Sequence, residues 1–298
     1  MCIRDRYGRF EVIKNLSPKI PVRFLCRYFS VSSSRFYQWL KGQTAGRAEL
    51  KKRICKAIKK SFKRSKKTYG SPRVYDDLVE WGFQVSENTV AKYMKELGLD
   101  GRHKKKFRVM TTDSNHSHPI APRLFKTESE ETLPTKPGKV LAGDITYLRL
   151  GKDFIYLAVV LDIFTREVVG WSMSDSLETK VILDAMNMAM KNVNSDAEII
   201  FHSDRGSQYA SDAYRKLLKS KDVKPSMSRR GNCYDNAYVE SWFSSLKKEW
   251  IYRSSYSTEQ ELRTLVFEYI ETWYNKKRKH SSLGYLSPEM YRKKNLSA

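Results

Sequence analysis

The chain has few cysteines, no long apolar run and, in its first third, few acids. Only four of its 298 residues are Cys (Cys2, Cys26, Cys55 and Cys233), and none forms a CxxC pair. That spacing excludes a disulfide framework and a cysteine zinc site, and it fits a reducing, cytoplasmic setting with free thiols. His116 and His118 stand two apart, but no second ligand pair follows at zinc-site spacing. No run of about 18 apolar residues occurs, so no membrane span is expected. Met1–Phe10 is charged and leads into no apolar stretch, so no signal peptide is read there. Residues 1–108 hold 9 Asp and Glu against 28 Lys and Arg, a net of +19, whereas residues 109–298 hold 24 against 28, a net of +4. The positive field is therefore concentrated at the front, where it favours a polyanion, DNA or RNA, through counterion release. The 18 Tyr and 6 Trp are too many for a disordered chain of this charge.

What is present has helical and strand periods in separate regions. Val22, Leu25, Cys26 and Phe29 fall at i, i+3, i+4 and i+7, and Phe36, Tyr37 and Leu40 group after the turn-like Ser30–Ser34, so residues 17–41 read as two short helices in a helix-turn-helix pattern. Met1–Arg6 shows no usable pattern. Ala45–Lys67 reads as a long basic helix with Leu50, Ile54, Ile58 and Phe62 inward. A second pair follows, Ser71–Trp81 and, capped by Ser86, Glu87–Leu97. The latter helix turns Asn88, Lys92 and Lys95 outward and reads as the DNA-recognition helix. Gly101–Arg108 is basic, with Lys104, Lys105 and Lys106 as candidate backbone contacts, and Thr111–Gly138 is rich in Ser, Thr, Pro and His. The chain divides accordingly into a helical DNA-binding region (1–100), a basic and polar linker (101–138) and a core with a C-terminal helix (139–298).

The core reads as a hairpin, Val140–Leu150 and Phe154–Phe164, a third strand Glu167–Met173, a helix Glu178–Val193, a strand Glu198–His202, a helix Ser207–Leu218, a strand Pro225–Ser228 and two helices, one starting near Glu240 and one over Thr258–Lys279. Three antiparallel strands followed by alternating helices and strands make an α/β mixed sheet with helices on both faces, preceded by an all-α region. The closing run Lys276–His280 would complement a helix dipole and suit phosphates.

Three acids stand out. Asp144 lies inside an apolar strand, where an unpaired carboxylate costs several kcal/mol. Asp204 follows a buried strand at its carboxyl end, where α/β sheets place their sites. Glu240 shares the polar face of its helix with Ser244 and Lys247, while Val239, Trp242, Phe243, Leu246 and Trp250 form the opposite, apolar stripe. Three converging carboxylates repel and require a cation, and all-oxygen ligation selects Mg²⁺ or Mn²⁺, with two ions expected for phosphodiester chemistry. Other groups have plainer readings. Asp162 suits a strand end or a place behind the other acids rather than a fourth ligand, Asp235 and Asn236 a helix cap, and His202 a packed position or one that orients Asp204, not a general base.

Between Asp204 and Glu240 lie 35 residues. With Gly143–Tyr147, His202–Tyr209, Gly231–Ala237, Glu240-Ser241, and Tyr274-Asn275 through Arg278-x-His280 to Pro288, the chain resembles the Asp-Asp-Glu insertion-sequence transposases of the retroviral-integrase superfamily. Tyr69–Arg73 and Thr111–His118 share that likeness. The resemblance runs from about residue 20 to the end. It departs at Leu141, where the family usually has Trp, a packing change. It implies a ribonuclease H-like core with Asp144, Asp204 and Glu240 as catalytic metal ligands, and Lys247 against the element's terminal DNA. It also implies strand cleavage leaving a 3′-hydroxyl that attacks a second phosphodiester. The partners would be double-stranded DNA, both terminal repeats and target, and further copies of the chain assembled on it near the bacterial nucleoid. The rival expectations are an inactive DNA-binding regulator derived from such an enzyme, and a nuclease that cleaves without joining.

Overall fold

A computed structural model describes residues 3–101, 119–126, 133–193, 198–229 and 236–296. Lys104, Lys105 and Lys106, the Thr111–His118 stretch, Asp235, Cys2 and Cys233 lie outside the described residues. The chain forms two compact units, residues 1–101 and 102–298. Among the described residues no helix is long and apolar enough to cross a membrane.

The first unit is all helical. Helices α1 (Ile3–Leu16) and α2 (Val22–Tyr28) pack on the start of α3 (Ser33–Arg64) through Phe10, Ile13, Leu25, Cys26 and Phe36. Helices α4 (Ser71–Glu80) and α5 (Glu87–Glu96) share a second core with the later turns of α3, where Ile54, Ile58, Phe62, Val74, Leu78, Val90 and Met94 are buried. Three expectations change here. Helix α1 begins within the stretch that showed no pattern, because Phe10 and Ile13 anchor it at i and i+3. The two helices read at Ser34–Lys41 and Ala45–Lys67 are one 32-residue helix that runs through Gly42 and Gly46. Tyr37 and Leu50 point outward. Gly82 (φ 80°) and Gly98 (φ 64°) take the left-handed conformation just beyond α4 and α5, as helix-stopping glycines do.

The second unit carries a five-stranded sheet of order β3-β2-β1-β4-β5. Strands β1 (Val140–Leu150), β2 (Asp153–Asp162) and β3 (Val168–Ser174) are antiparallel neighbours; β4 (Ile199–Ser203) and β5 (Val223–Met227) run parallel to β1. Helices α6 (Thr179–Asn192), α7 (Ser207–Ala210) and α8 (Asp212–Ser220) bury Val181, Ile182, Met186, Tyr209, Tyr214 and Leu218 on one face with Leu141 and Phe201. Leu141 is wholly enclosed there, as a packing change requires. The helix read as one over Ser207–Leu218 is broken at Ser211, whose hydroxyl caps α8 by accepting from Tyr214 N at 3.3 Å. Helix α9 (Ala237–Glu249) covers the opposite face, bonded to Thr146 of β1 through Lys247. This is the mixed α/β arrangement expected, with helices on both faces of the sheet.

Two glycines are set by close approach. A Cβ on Gly143 would stand 2.4 Å from the Phe201 ring, and one on Gly170 would stand 2.1 Å from the Ala185 carbonyl oxygen. Within the stretch read as a linker, Leu124 and Phe125 donate their backbone N–H groups to Ser226 Oγ at 3.0 and 3.1 Å, and Phe125 is buried. These residues belong to the body of the second unit.

Beyond α9 the chain passes through α10 (Glu259–Phe267) and a π-helical segment (Glu268–Tyr274) to α11 (Pro288–Leu296). Thr258 and Glu261 form a capping box at the start of α10. The helical run stops at Tyr274 rather than Lys279, and Arg278 turns inward. Its side chain is 6% exposed and makes a bidentate pair with Glu249 of α9, at 2.6 and 2.7 Å. Asn275 closes the outer edge of β3, with Oδ1 accepting from Val168 N and Nδ2 donating to Val168 O.

Candidate active site

The sheet register brings the first two acids together. Ala142 of β1 is paired with His202 of β4 in parallel. Two residues further along each strand direction stand Asp144 and Asp204, so neighbouring strands deliver both carboxylates to one end of the sheet. Side chains alternate along β1, so Asp144 shares its face with Thr146, the face that α9 covers. Asp144 Oδ1 accepts from Ile145 N at 2.7 Å, and Asp204 Oδ1 accepts from Gly206 N at 2.9 Å. A Cβ on Gly206 would press to 3.1 Å from that Asp204 oxygen, so the small residue keeps the carboxylate's turn open.

Glu240 lies in the first turn of α9 and is exposed. The apolar stripe Val239, Trp242, Phe243, Leu246 and Trp250 is buried, against Tyr269 and Tyr274 of the π-helical segment among others. That burial orients the helix so that Glu240, Ser244 and Lys247 share the opposite side. Lys247 Nζ donates to Thr146 Oγ1 at 2.7 Å and lies 4.9 Å from the centre of the Tyr147 ring.

The electrostatics join these groups into one site. Burial, then the charge of Asp204, then that of Glu240 push the Asp144 carboxyl well above its usual range, against the Ile145 N–H and the Lys247 charge. Asp144 keeps some accessible surface, yet the atoms crowded around it make desolvation the largest cause. Glu240 is raised by desolvation and by Asp204. Burial lowers Lys247, and Asp144 partly restores it. Tyr209 is buried beside the pair; desolvation, Asp144, Tyr214 and Asp204 all hold its hydroxyl protonated. The three acids are therefore within electrostatic reach of one another but not tightly clustered. Among the described residues, the trio whose ligand oxygens all lie within 4.8 Å of one another is Asp76, Asp77 and Glu80 on α4.

Other candidates fall to structural roles. Asp162 is buried and accepts from the backbone N–H groups of Gly138, Phe164 and Thr165, which makes it a strand-end turn carboxylate. Asn236 occupies the N-cap position of α9 but makes no side-chain cap bond, so the capping role expected of it is not met. Ser226 Oγ spends both lone pairs on Leu124 and Phe125, so its one proton points to His202 Nδ1 at 2.9 Å and a neutral His202 carries its own on Nε2. His202 is fully buried, edge-on to Phe125, and serves as core. Asn88, Lys92 and Lys95 line the exposed side of α5 in the first unit, with Ser86 Oγ accepting from Thr89 N at its start. Sequence reasoning missed Thr146, Tyr147 and Tyr209. The alternation of β1 carried a signal for Thr146, two residues from Asp144; Tyr147 and Tyr209 end two of the resembling stretches, but nothing there gave either a role.

Two models described as integrase core domains match residues 134–233 and 221–288, and one described as an HTH-like domain matches residues 49–107. The transposase InsF for insertion sequence IS3A of Escherichia coli (strain K12) is 36% identical over 291 residues, covering 97% of this chain and 100% of that protein. The chain belongs to the IS3 family of transposases. An uncharacterized 31 kDa protein of insertion element IS600 from Shigella sonnei is 37% identical over 270 residues, covering 91% of this chain and 98% of that one. Among solved structures, the magnesium complex of the HTLV-2 integrase catalytic core domain (trimeric form) has a TM-score of 0.42 at 14% identity, covering 53% of this chain and 98% of that one. That likeness is too low to argue from, and the IS3 assignment rests on the sequence relatives and the family models.

Proposed function

We propose that this IS3-family chain is an active DNA transposase that cuts at its element's ends and joins them to target DNA, with Asp144, Asp204 and Glu240 as the catalytic acids. The observation that carries the reading is that a strand, a strand end and a helix bring three carboxylates into one field, where Asp204 raises the cost of ionising both Asp144 and Glu240, and Glu240 that of Asp144. An oxygen-only, net-negative donor set fits Mg²⁺ or Mn²⁺. Such cations, two in this reading, would acidify a water and neutralise charge gathering on a phosphate.

The residues of the chain have separable tasks. Asp144 and Asp204 would hold the cations from the sheet, and Glu240 would complete the set from α9. Lys247 stands about two turns further along α9 on the same face, tied to Thr146, where its ammonium would meet a terminal phosphate. In cleavage, a water oxygen bonds to phosphorus and the P–O3′ bond breaks, leaving a 3′-hydroxyl on the element end and a 5′-phosphate on the flank. In joining, that 3′-oxygen bonds to a target phosphorus, and the target's own O3′ departs with the proton. Asn88, Lys92 and Lys95 on α5 are proposed DNA contacts, and the acting species is proposed to be a homo-oligomer on DNA.

Purified full chain, Mg²⁺ and a duplex carrying the element end with its flank should give nicked and joined products on a gel. Asp204→Asn and Glu240→Gln should each lower joining by at least about 10²-fold, the scale of removing one catalytic electrostatic group. Parental activity in either variant would overturn the assignment.

A further inference from the structure

The α1–α3 cluster lies outside the stretch matched by the HTH-like model, which begins at residue 49. It has its own core of Phe10, Ile13, Leu25, Cys26 and Phe36, with Trp39 and Leu40 packed against it. The α2–α3 connection is a tight turn over Phe29–Ser32. Ser30 N donates to Arg27 O at 3.1 Å and Val31 N to Cys26 O at 2.9 Å, closing α2. Ser30 adopts φ 52°, the left-handed conformation for which such turns often use glycine. Ser32 Oγ then caps α3 by accepting from Arg35 N. A short helix, a four-residue turn and a capped second helix on a three-helix core is a helix-turn-helix frame.

The outer surface of this frame is one-sided in charge. Arg23, Phe24, Arg27 and Tyr28 are exposed on α2, as are Arg35, Tyr37 and Gln38 on the first turns of α3. The sequence has no Asp or Glu between Glu11 and Glu49, while Lys14, Lys19, Arg23, Arg27, Arg35, Lys41 and Arg47 fall in that interval. A surface of cations, aromatics and neutral polar groups with no acid complements a polyanion rather than a mixed-charge protein face. The α5 face differs, since Glu87 and Glu96 share its helix and Glu96 pairs with Lys51 at 2.7 Å.

We infer that the α2–α3 surface is a second duplex-DNA site, in which the first turns of α3 enter the major groove with Arg35 and Gln38 at base edges, and Arg23 and Arg27 of α2 rest on phosphates. The residue types fit that division. Arg pairs with guanine and Gln with adenine in the major groove, whereas the helix preceding the recognition helix crosses the backbone. This site rests on the transposase reading and adds to it a sequence-reading element on α3 separate from α5.

The test is selection of bound sites from a random duplex pool by the full chain, followed by anisotropy titrations on the selected duplex and a scrambled one. The double variant Arg35→Ala, Gln38→Ala should reduce preference for the selected duplex by about 10-fold or more. Arg35→Lys should lose preference while keeping the salt dependence. Arg23→Ala with Arg27→Ala should weaken both duplexes alike and flatten the log–log salt slope by about 1.8. An unchanged preference in the Arg35 and Gln38 variant overturns the inference. So does a protein-contact result, in which Phe24→Ser, Tyr28→Ser changes the oligomeric state with DNA affinity intact. These readouts need no strand joining, so an inactive Glu240→Gln protein can carry them, and failure of the catalytic reading would be seen separately.

Discussion

Asp204 is the acid whose charge acts on both of the others, and its removal separates folding from chemistry. Asp144 and Glu240 have folded-state values above their ordinary ones. The folded state therefore keeps their protons to higher pH than the unfolded state. This site's contribution to stability is best at low pH, falls as pH rises from about 4 through the raised folded values, and stays low above them. In EDTA, Asp204→Asn should flatten that decline and raise the melting temperature near pH 7 by about 2–4 °C, the equivalent of roughly 1 kcal/mol in a unit of this size. Mg²⁺ should raise the melting temperature of the parent more than that of the variant. Lys247→Met should cost joining about 10-fold or more while leaving the circular dichroism spectrum unchanged, because it removes a charge facing Asp144 and the bond to Thr146 but no core contact. The acids were legible because each broke a local rule: a carboxylate in an apolar strand, one at a strand's carboxyl end, one on the free side of an amphipathic helix. The Lys247–Thr146 bond was not legible, since it depends on how α9 lies across β1.

Helix α9 is held at both ends of its task, by its apolar stripe and by the Glu249–Arg278 pair. In sequence the basic run Lys276–His280 reads as a complement to a helix dipole and to phosphates, because neither its composition nor the Arg278-x-His280 pattern shows which cation turns inward. Here the guanidinium fork of Arg278 found a carboxylate 29 residues away, with Tyr274 5.7 Å beneath it. Arg278→Ala removes the guanidinium that pairs both oxygens of the half-buried Glu249 and should cost about 3 kcal/mol in urea unfolding. Arg278→Lys should recover only part of it, because one ammonium cannot make both bonds. The antiparallel hairpin and the mixed sheet were readable from β-branched runs and the Gly151 turn. The continuity of α3 was not, because Gly42 and Gly46 look like a break. Neither glycine has a neighbour within 4 Å of an added Cβ. Gly42→Ala and Gly46→Ala should each stabilise the helix by about 0.4–1 kcal/mol, read in the same urea experiment.

The whole molecule is electrically lopsided, with most of its surplus positive charge in the helical front. Its affinity for random duplex should fall about 10³-fold or more between 50 and 200 mM NaCl if six or more phosphates are engaged. A loss much smaller than that would mean that most of the charge faces solvent. The two cores of the first unit share one unbroken helix. Phe36, in the first core, and Ile58, in the second, are 22 positions apart on α3. At 1.5 Å per residue that is about 33 Å, and 22 steps of 100° return to within about 40° of the same side. Helix α3 thus holds the two reading heads proposed for it at one fixed separation: each could tolerate an altered site of its own, but a pair engaged together could not follow a changed spacer between their sites.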